Sequence, residues 1–507
     1  MRDKIFFFFV GFLLVFPCRG FAYGDENDIL LNSAQQTLNE YRREAEVLAA
    51  WCEAEGLESQ AKLTRDFVMP IEPDCIHIPI IPRKKLQDFL PAESSASVVQ
   101  WHHNWMTIRR NLSLKLQEHA KMALQQERVI LAMQMIHIAL HADPDSQKLR
   151  NVLGFEFYDG QWRTDWEIKQ LKLGKVDHEQ FGWIPAKYVE RYEAGERFYK
   201  KDSRSEGKWV SKGADALLHA EIDKGWVISS EHYDVRTNHS LEEGVRLSRY
   251  LEVFYYVWKQ VFIQYTASTS ELTQQLDGKR SRYKEPRLKV VFFKDRENYL
   301  ETLEKNDPNV GVSVGFYDDP TRTCYFYMHD GTGENSEGDM FRTVFHEGTH
   351  QLFNCAKPVQ FRDRGHFWAT EAIAIYMETL RRDGNYYVLG NAQDIRVLAA
   401  KYRFFESKFY MPIENLTKLS MRTFQNAPYL KELYSQCGGM AYFFMHHDKG
   451  EYRDRFVTYL DAIYSGYDSP DLLFRMIGEK PETLDEQYEQ MLKAIPAEFK
   501  NREQKSE

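Results

Sequence analysis

His346-Glu347-Gly348-Thr349-His350 is the stretch from which the rest of this chain is read. Four helical steps turn about 400°, so both imidazoles leave one face of a helix and can share a metal ion, with Glu347 beside a water at that ion. The flanks suit a helix. Met340, Phe341, Val344, Phe345, Leu352 and Phe353 supply apolar faces, Glu334 to Asp339 offer N-cap candidates, and no proline interrupts Asp339 to Ala356.

Three fixed positions also arise by chance, so a zinc reading needs a third ligand on a suitable element. Phe367 to Glu378 predicts a second helix, with Trp368, Ile375 and Tyr376 among its packing residues. Glu371 lies 21 positions beyond His350, which leaves room for a loop and an antiparallel return. A carboxylate joining two imidazoles gives the His2Glu set of catalytic zinc, its fourth position open to water. His366 and Glu378 are competing residues of zinc-binding type, and position favours Glu371. His366, in the polar approach Arg362 to Gly365, reads as a loop or capping histidine. Glu378, two turns past Glu371 on the same face, is either an acceptor behind a ligand imidazole or a solvated glutamate.

HEGTHQLF (346–353) followed by WATEAIAIYME (368–378) resembles the gluzincin metallopeptidases, whose HExxH helix precedes a helix of the form WxxEGxAxYxE. The likeness is to exported bacterial proteins of unknown function with a peptidase-MA-like domain, and it spans about Gly225 to Ile495. It implies His346, His350 and Glu371 as zinc ligands and Glu347 as general base. Ala372 stands where the family has glycine, and its methyl is expected to crowd the cleft without touching the ligands. The metzincin pattern fails, because Phe353 and Ala356 occupy positions it needs as Gly and His. The GxMEN motif of one aminopeptidase branch is not found upstream of His346, which favours internal cleavage.

Peptide hydrolysis also needs a donor for the oxyanion. Tyr434 opens the segment Tyr434 to Phe444, which resembles the helix that follows the zinc helices and faces the cleft in peptidase-MA-like domains. The plainer reading is a core tyrosine bonded to backbone. His446-His447-Asp448 is a rival donor or second metal site, read here as a solvated turn ending that helix.

Composition frames this core. The chain has 507 residues, 43% of them hydrophobic, enough for two or three domains. Met1-Arg2-Asp3-Lys4, the apolar run Ile5 to Phe16 and Gly20-Phe21-Ala22 predict a secretory signal cleaved after Ala22, and hence a secreted or periplasmic protein. No later stretch is apolar enough to span a membrane. Without residues 1–22 the formal charge passes from −9 to −11, which argues against nucleic acid as a partner. Five cysteines remain, with no CxxC spacing; Cys52 and Cys75 are equally open to a disulfide or to free thiols.

The expected fold is α+β: a mainly helical zincin-like catalytic domain with a small mixed sheet over 225–500, preceded by a signal (1–22), a helical region (23–150) and a Gly-x-Trp module (151–224). Residues 28–66 and 94–142 carry helical spacing. Gly160-Gln161-Trp162-Arg163-Thr164 recurs as Gly207-Lys208-Trp209-Val210-Ser211, each copy leading into a helix and then an aromatic-glycine step, Phe181-Gly182-Trp183 or Lys224-Gly225-Trp226. Their tryptophans read as small-core anchors. Strands are expected at Trp226 to Val235, Leu288 to Phe293, Val312 to Tyr317 and Thr323 to Met328, with a capping box at Ser240 to Glu243. Asp330 to Glu334 reads as the loop entering the His helix rather than a calcium loop. The expectation is a zinc-dependent peptidase acting on a peptide or protein. The alternatives are a catalytically inactive zincin-like binding or envelope scaffold, or a structural protein in which the motif is accidental.

Overall fold

Apolar residues at helical spacing fold the first part of the chain into two helical pairs, Ile29–Ala54 with Glu58–Asp66 and Ala96–Gln125 with Val129–Ala142. These come from a computed structural model that describes residues 29–70, 74–85, 93–201, 204–279, 287–304, 314–328, 336–359 and 361–496. The expected signal segment, most of the linker Gly278 to Pro286 and the loop Asp330 to Glu334 lie outside the described residues. The long helices meet on small residues: Ala34, Ala45 and Ala49 are buried on one, Ala120 and Ala123 on the other. Val129–Ala142 is buried on nearly all sides, as an apolar helix without a polar face must be. Among the described residues no helix is long and apolar enough to cross a membrane.

Between residues 155 and 218 the chain repeats a short antiparallel hairpin followed by a helix. The hairpins are Phe155–Tyr158 with Gln161–Thr164, Lys175–His178 with Gly182–Pro185, and Glu196–Tyr199 with Lys208–Ser211. Both quoted Gly-x-Trp copies supply second strands, and so does Gly182-Trp183, expected only as a step between copies. There are three units, with Trp162, Trp183 and Trp209 at the same place in each second strand. The middle copy was obscured because its glycine abuts the tryptophan. Thr164 caps the first unit's helix and Ser211 the third's, each accepting a backbone N–H three residues on. Trp162 is buried, while Trp183 and Trp209 are half-buried among aromatic and cationic neighbours, which accords with anchoring.

A fourth hairpin, Trp226–Ser229 with Tyr233–Thr237, replaces the single strand expected there and forms one edge of a five-stranded mixed sheet. Leu288–Phe293 lies at the centre, parallel to Tyr233–Thr237 on one side and to Thr323–Tyr327 on the other. Gly315–Asp318 closes the far edge, antiparallel to Thr323–Tyr327. Alternation buries Leu288, Val290 and Phe292 on one face. The helix Leu241–Val261 covers the sheet. Ser240 caps it by accepting from the Glu243 backbone N–H at 3.1 Å, and Gly244 lets it settle onto Ile228 and Thr237, where a Cβ would meet side-chain carbons at 2.5 and 2.7 Å.

Two helices carry the site, Ser336–Ala356 and Phe367–Met377. The first is held against Leu241–Val261 by stacking of Phe345 on Phe254 at 5.0 Å, and Gly348 fits where a Cβ would lie 3.0 Å from the Phe254 ring. The second is buried at every position and packs on Leu430–His446, where Gly438 and Gly439 admit Ile375, Ala400 and the Tyr488 hydroxyl. A hairpin, Arg381–Asp383 with Tyr386–Leu389, follows, and the N-terminal segment Ile76–Pro79 pairs with it as a third, antiparallel strand. One continuous apolar cluster runs from Leu30 to Ile495, joining the N-terminal helices to the helices that carry the site. The whole is α+β, mostly helical with small sheets.

Candidate metal centre

Helical spacing and the antiparallel return bring His346, His350 and Glu371 together. Each offers one ligand atom, and these atoms lie within 4.8 Å of one another. His346 Nε2 is 3.4 Å from Glu371 Oε2 and His350 Nε2 is 3.7 Å from Glu371 Oε1, with the two rings 5.1 Å apart between centroids. Ligands bound tetrahedrally at about 2.1 Å stand about 3.4 Å from each other, so the spacing suits a first-row divalent ion. Glu371 Oε2 is buried with no hydrogen-bond partner among the described residues. A buried carboxylate oxygen needs a donor or a cation, and this one faces two imidazole nitrogens that can share either.

The ionisable groups of the cluster act strongly on one another. Burial raises the Glu347 carboxyl to about 7 against the pull of His346, and Glu371 adds to the rise. Burial would also raise Glu371 and Glu378, but their partners prevail. His350 and His346 hold Glu371 below the usual carboxylate range, while His346, Arg396 and Arg342 hold Glu378 at about 2. Burial would lower both imidazoles, and takes His350 to about 4, whereas Glu371, Glu378 and Glu347 carry His346 well above 6.5. The imidazoles retain about 15% exposure, so the site faces a solvent-accessible side.

Glu347 leaves the helix beside the ligands, and its Oε2 accepts the backbone N–H of Tyr317 at 2.9 Å. Tyr317 belongs to the edge strand Gly315–Asp318, so the open edge of the sheet lies against the candidate base. Tyr434 sits in the first turns of Leu430–His446, where the charge of Glu371, then burial and Glu347, keep its phenol protonated far above neutral pH. The structure thus assembles His346, Glu347, His350, Glu371 and Tyr434 in one place.

Other candidates go elsewhere. His366 is buried in a left-handed conformation at the start of its helix, with Nδ1 2.9 Å from the Tyr459 hydroxyl and Nε2 3.0 Å from the Ser469 carbonyl. His446 corrects the expectation of a solvated turn: it is buried, stacked on Tyr442 and 3.0 Å from the Tyr376 hydroxyl. Ala372 is fully buried, so its methyl packs in the core and does not crowd a cleft. Cys52 and Cys75 are free thiols; Cys52 lies in the cluster around Trp101 and Trp105, and Cys75 donates to the Gly390 carbonyl. Glu378 takes the first of its two open roles, with Oε1 2.9 Å from His346 Nδ1.

The sequence reading missed Arg342, Asp394 and Arg396, which surround Glu378. Arg342 was within reach of the helical rule, being one turn before His346 on the same face. Tyr317 could not have been found, since its contribution is a backbone N–H placed by strand pairing. No protein-family model matches this chain, and no curated protein matches it.

Proposed function

We propose that this protein is a zinc-dependent peptidase of the gluzincin kind, hydrolysing bonds within peptide or protein substrates outside the cytoplasm. The observation that carries the reading is the Glu371 carboxylate, its Oε2 buried without a hydrogen-bond partner, facing two imidazoles at 3.4 and 3.7 Å. Two nitrogens and one oxygen form the donor set associated with catalytic zinc, held by His346, His350 and Glu371. Bound there, zinc would supply Lewis acidity, polarising a carbonyl and bringing the pKa of water to roughly 7.

The chain's own groups do the rest. Glu347, raised by burial to about 7, matches the pKa wanted of a base that takes a proton from water and returns it to a leaving amine near neutral pH. The Tyr317 N–H holds one of its oxygens in place. Tyr434 keeps its proton and so remains a donor toward an oxyanion. Glu378 faces His346 Nδ1 and would keep a proton there, so that Nε2 would offer its lone pair to a bound cation.

Glu347→Gln is expected to retain stoichiometric zinc and lose peptide cleavage by a factor of 10² or more, whereas His346→Ala loses both. Metal analysis and a broad peptide library read the two outcomes. Cleavage retained by Glu347→Gln sinks the proposal, and zinc without cleavage in the wild type leaves the inactive scaffold.

A further inference from the structure

The two imidazoles are not held alike. His346 is gripped on both sides of its ring by one helix and its cap: Nε2 faces Glu371, and Nδ1 lies 2.9 Å from Glu378 Oε1. His350 has no hydrogen bond to Nδ1 among the described residues. A carboxylate behind Nδ1 fixes the tautomer and plane of an imidazole only while the carboxylate itself cannot turn. Here it cannot. Glu378 Oε2 accepts from Arg342 Nη2 at 3.1 Å and from Arg396 Nε at 3.2 Å. Arg342 is itself clamped by a fork of two bonds to Asp394, Nη1 to Oδ2 at 2.9 Å and Nη2 to Oδ1 at 3.2 Å.

Asp394 is equally constrained, since it caps the helix Ile395–Phe405 and accepts the Arg396 backbone N–H at 2.9 Å. Glu378 and Asp394 are both buried, so an unpaired carboxylate at either place would be costly. The relay therefore runs from a helix N-terminus through Asp394, Arg342 and Glu378 to His346, joining three helices. Arg342 is the hinge of this relay, because its planar fork reaches two carboxylates at once, which an ammonium group does not. Arg396 grips both Glu378 oxygens, Nε to Oε2 at 3.2 Å and Nη2 to Oε1 at 3.4 Å, from a more exposed position, its side chain 45% accessible against 26% for Arg342.

We infer that Arg342 and Asp394 are positioning residues for His346: through Glu378 they hold the ring with Nε2 aimed at Glu371, and so set the affinity and geometry of the metal site. The inference rests on the metal-site reading above and adds to it residues that touch neither metal nor substrate.

The test compares the full chain with Arg342→Met, Arg342→Lys, Arg396→Met and Asp394→Asn, reading Zn2+ affinity by chelator competition and the visible spectrum of the Co2+ form. Arg342→Met is expected to weaken zinc binding roughly 10- to 100-fold and to alter the Co2+ spectrum. Arg342→Lys should recover part of the affinity, and Arg396→Met, which leaves the Asp394–Arg342–Glu378 chain in place, should lose less than Arg342→Met. A general loss of packing would move none of these selectively, because the Lys variant would then share the Met variant's loss. Zinc affinity and Co2+ spectrum unchanged in Arg342→Met overturn the inference. If Arg342→Met does not fold, Asp394→Asn decides, since asparagine retains the cap but not the charge. A loss of about tenfold supports the relay, and wild-type affinity overturns it. A wild-type chain that binds no zinc removes the metal reading and this inference together, a result distinct from equal tight binding by wild type and variant.

Discussion

The helices that carry the site and the hairpin–helix units of residues 155–218 solve the problem of order in opposite ways. In Phe367–Met377 every side chain is buried, so the one carboxylate it turns toward the imidazoles is aimed by packing on all sides. The hairpin–helix units instead have few buried side chains and are joined to one another and to the preceding helix by cations over rings: Arg191 over Trp209 at 3.8 Å, Arg197 over Phe181 at 4.6 Å, Arg150 over Trp162 at 4.9 Å. Contacts of that kind are each worth about 0.5–2 kcal/mol and act locally. The difference implies that damage to the first region is global and damage to the second stays local to the hairpin–helix region.

The sharpest way to break this comparison is to remove residues 29–152. Ile76–Pro79 pairs with Tyr386–Leu389, directly after the Glu371 helix, and the N-terminal helices share its apolar cluster. The shortened chain is expected to lose cooperative thermal unfolding altogether. A chain without residues 29–152 that melts as sharply as the whole would show the shared core to be dispensable. Next in size is Trp368→Ala, which empties a fully buried site among Phe444, Phe456 and Tyr459. It should cost about 3–5 kcal/mol in denaturant unfolding.

The same contrast explains what could be read in the sequence. His346 and His350 are related by helical spacing alone, and Glu371 follows from a second helical pattern, so the donor set was visible before any packing was known. Arg342 lay within the same rule but carried no metal-binding signal of its own. Tyr317 N–H, Asp394 and Arg396 were hidden because strand pairing and loop closure place them. The long helices of residues 28–142 were legible from their spacing, whereas the hairpin at Trp226 to Thr237 was read as one strand because its turn, Ser230-Glu231-His232, carries no Gly, Pro or Asn. The middle Gly-Trp copy was lost because the motif had shortened by one residue.

Acid should separate the regions further. His137 and His141, on the buried helix Val129–Ala142, are both lowered to about 4 by burial; His137 gains a little back from Gln260 and His141 from the Phe67 carbonyl. Their folded pKa values lie below the unfolded value near 6.5, so the native state holds them neutral while the unfolded chain takes up protons first. The stability they contribute is whole above pH 6.5, falls as pH drops toward 4, and is gone below that. Each accounts for roughly 3 kcal/mol across this window. Unfolding followed from pH 7 to 4 should steepen accordingly, and His137→Met should remove about half of the slope that this helix contributes. An unchanged slope in that variant would assign acid sensitivity to other groups.

The smallest effect is the most specific test of locality. Thr164 accepts the Glu167 N–H at 3.3 Å and Glu167 Oε2 accepts the Thr164 N–H at 2.8 Å, a reciprocal cap on Asp165–Lys172. Thr164→Ala removes one side of it and should cost about 1 kcal/mol. If the units are held piecewise, the loss appears as faster amide hydrogen exchange across Asp165–Lys172, while Leu241–Val261 and Phe367–Met377 keep their protection. Exchange accelerating equally in all three helices would mean that the first unit unfolds only with the whole molecule. The cations that cover its rings would then belong to the same cooperative core as the metal-site helices, and the comparison between the two regions would fail.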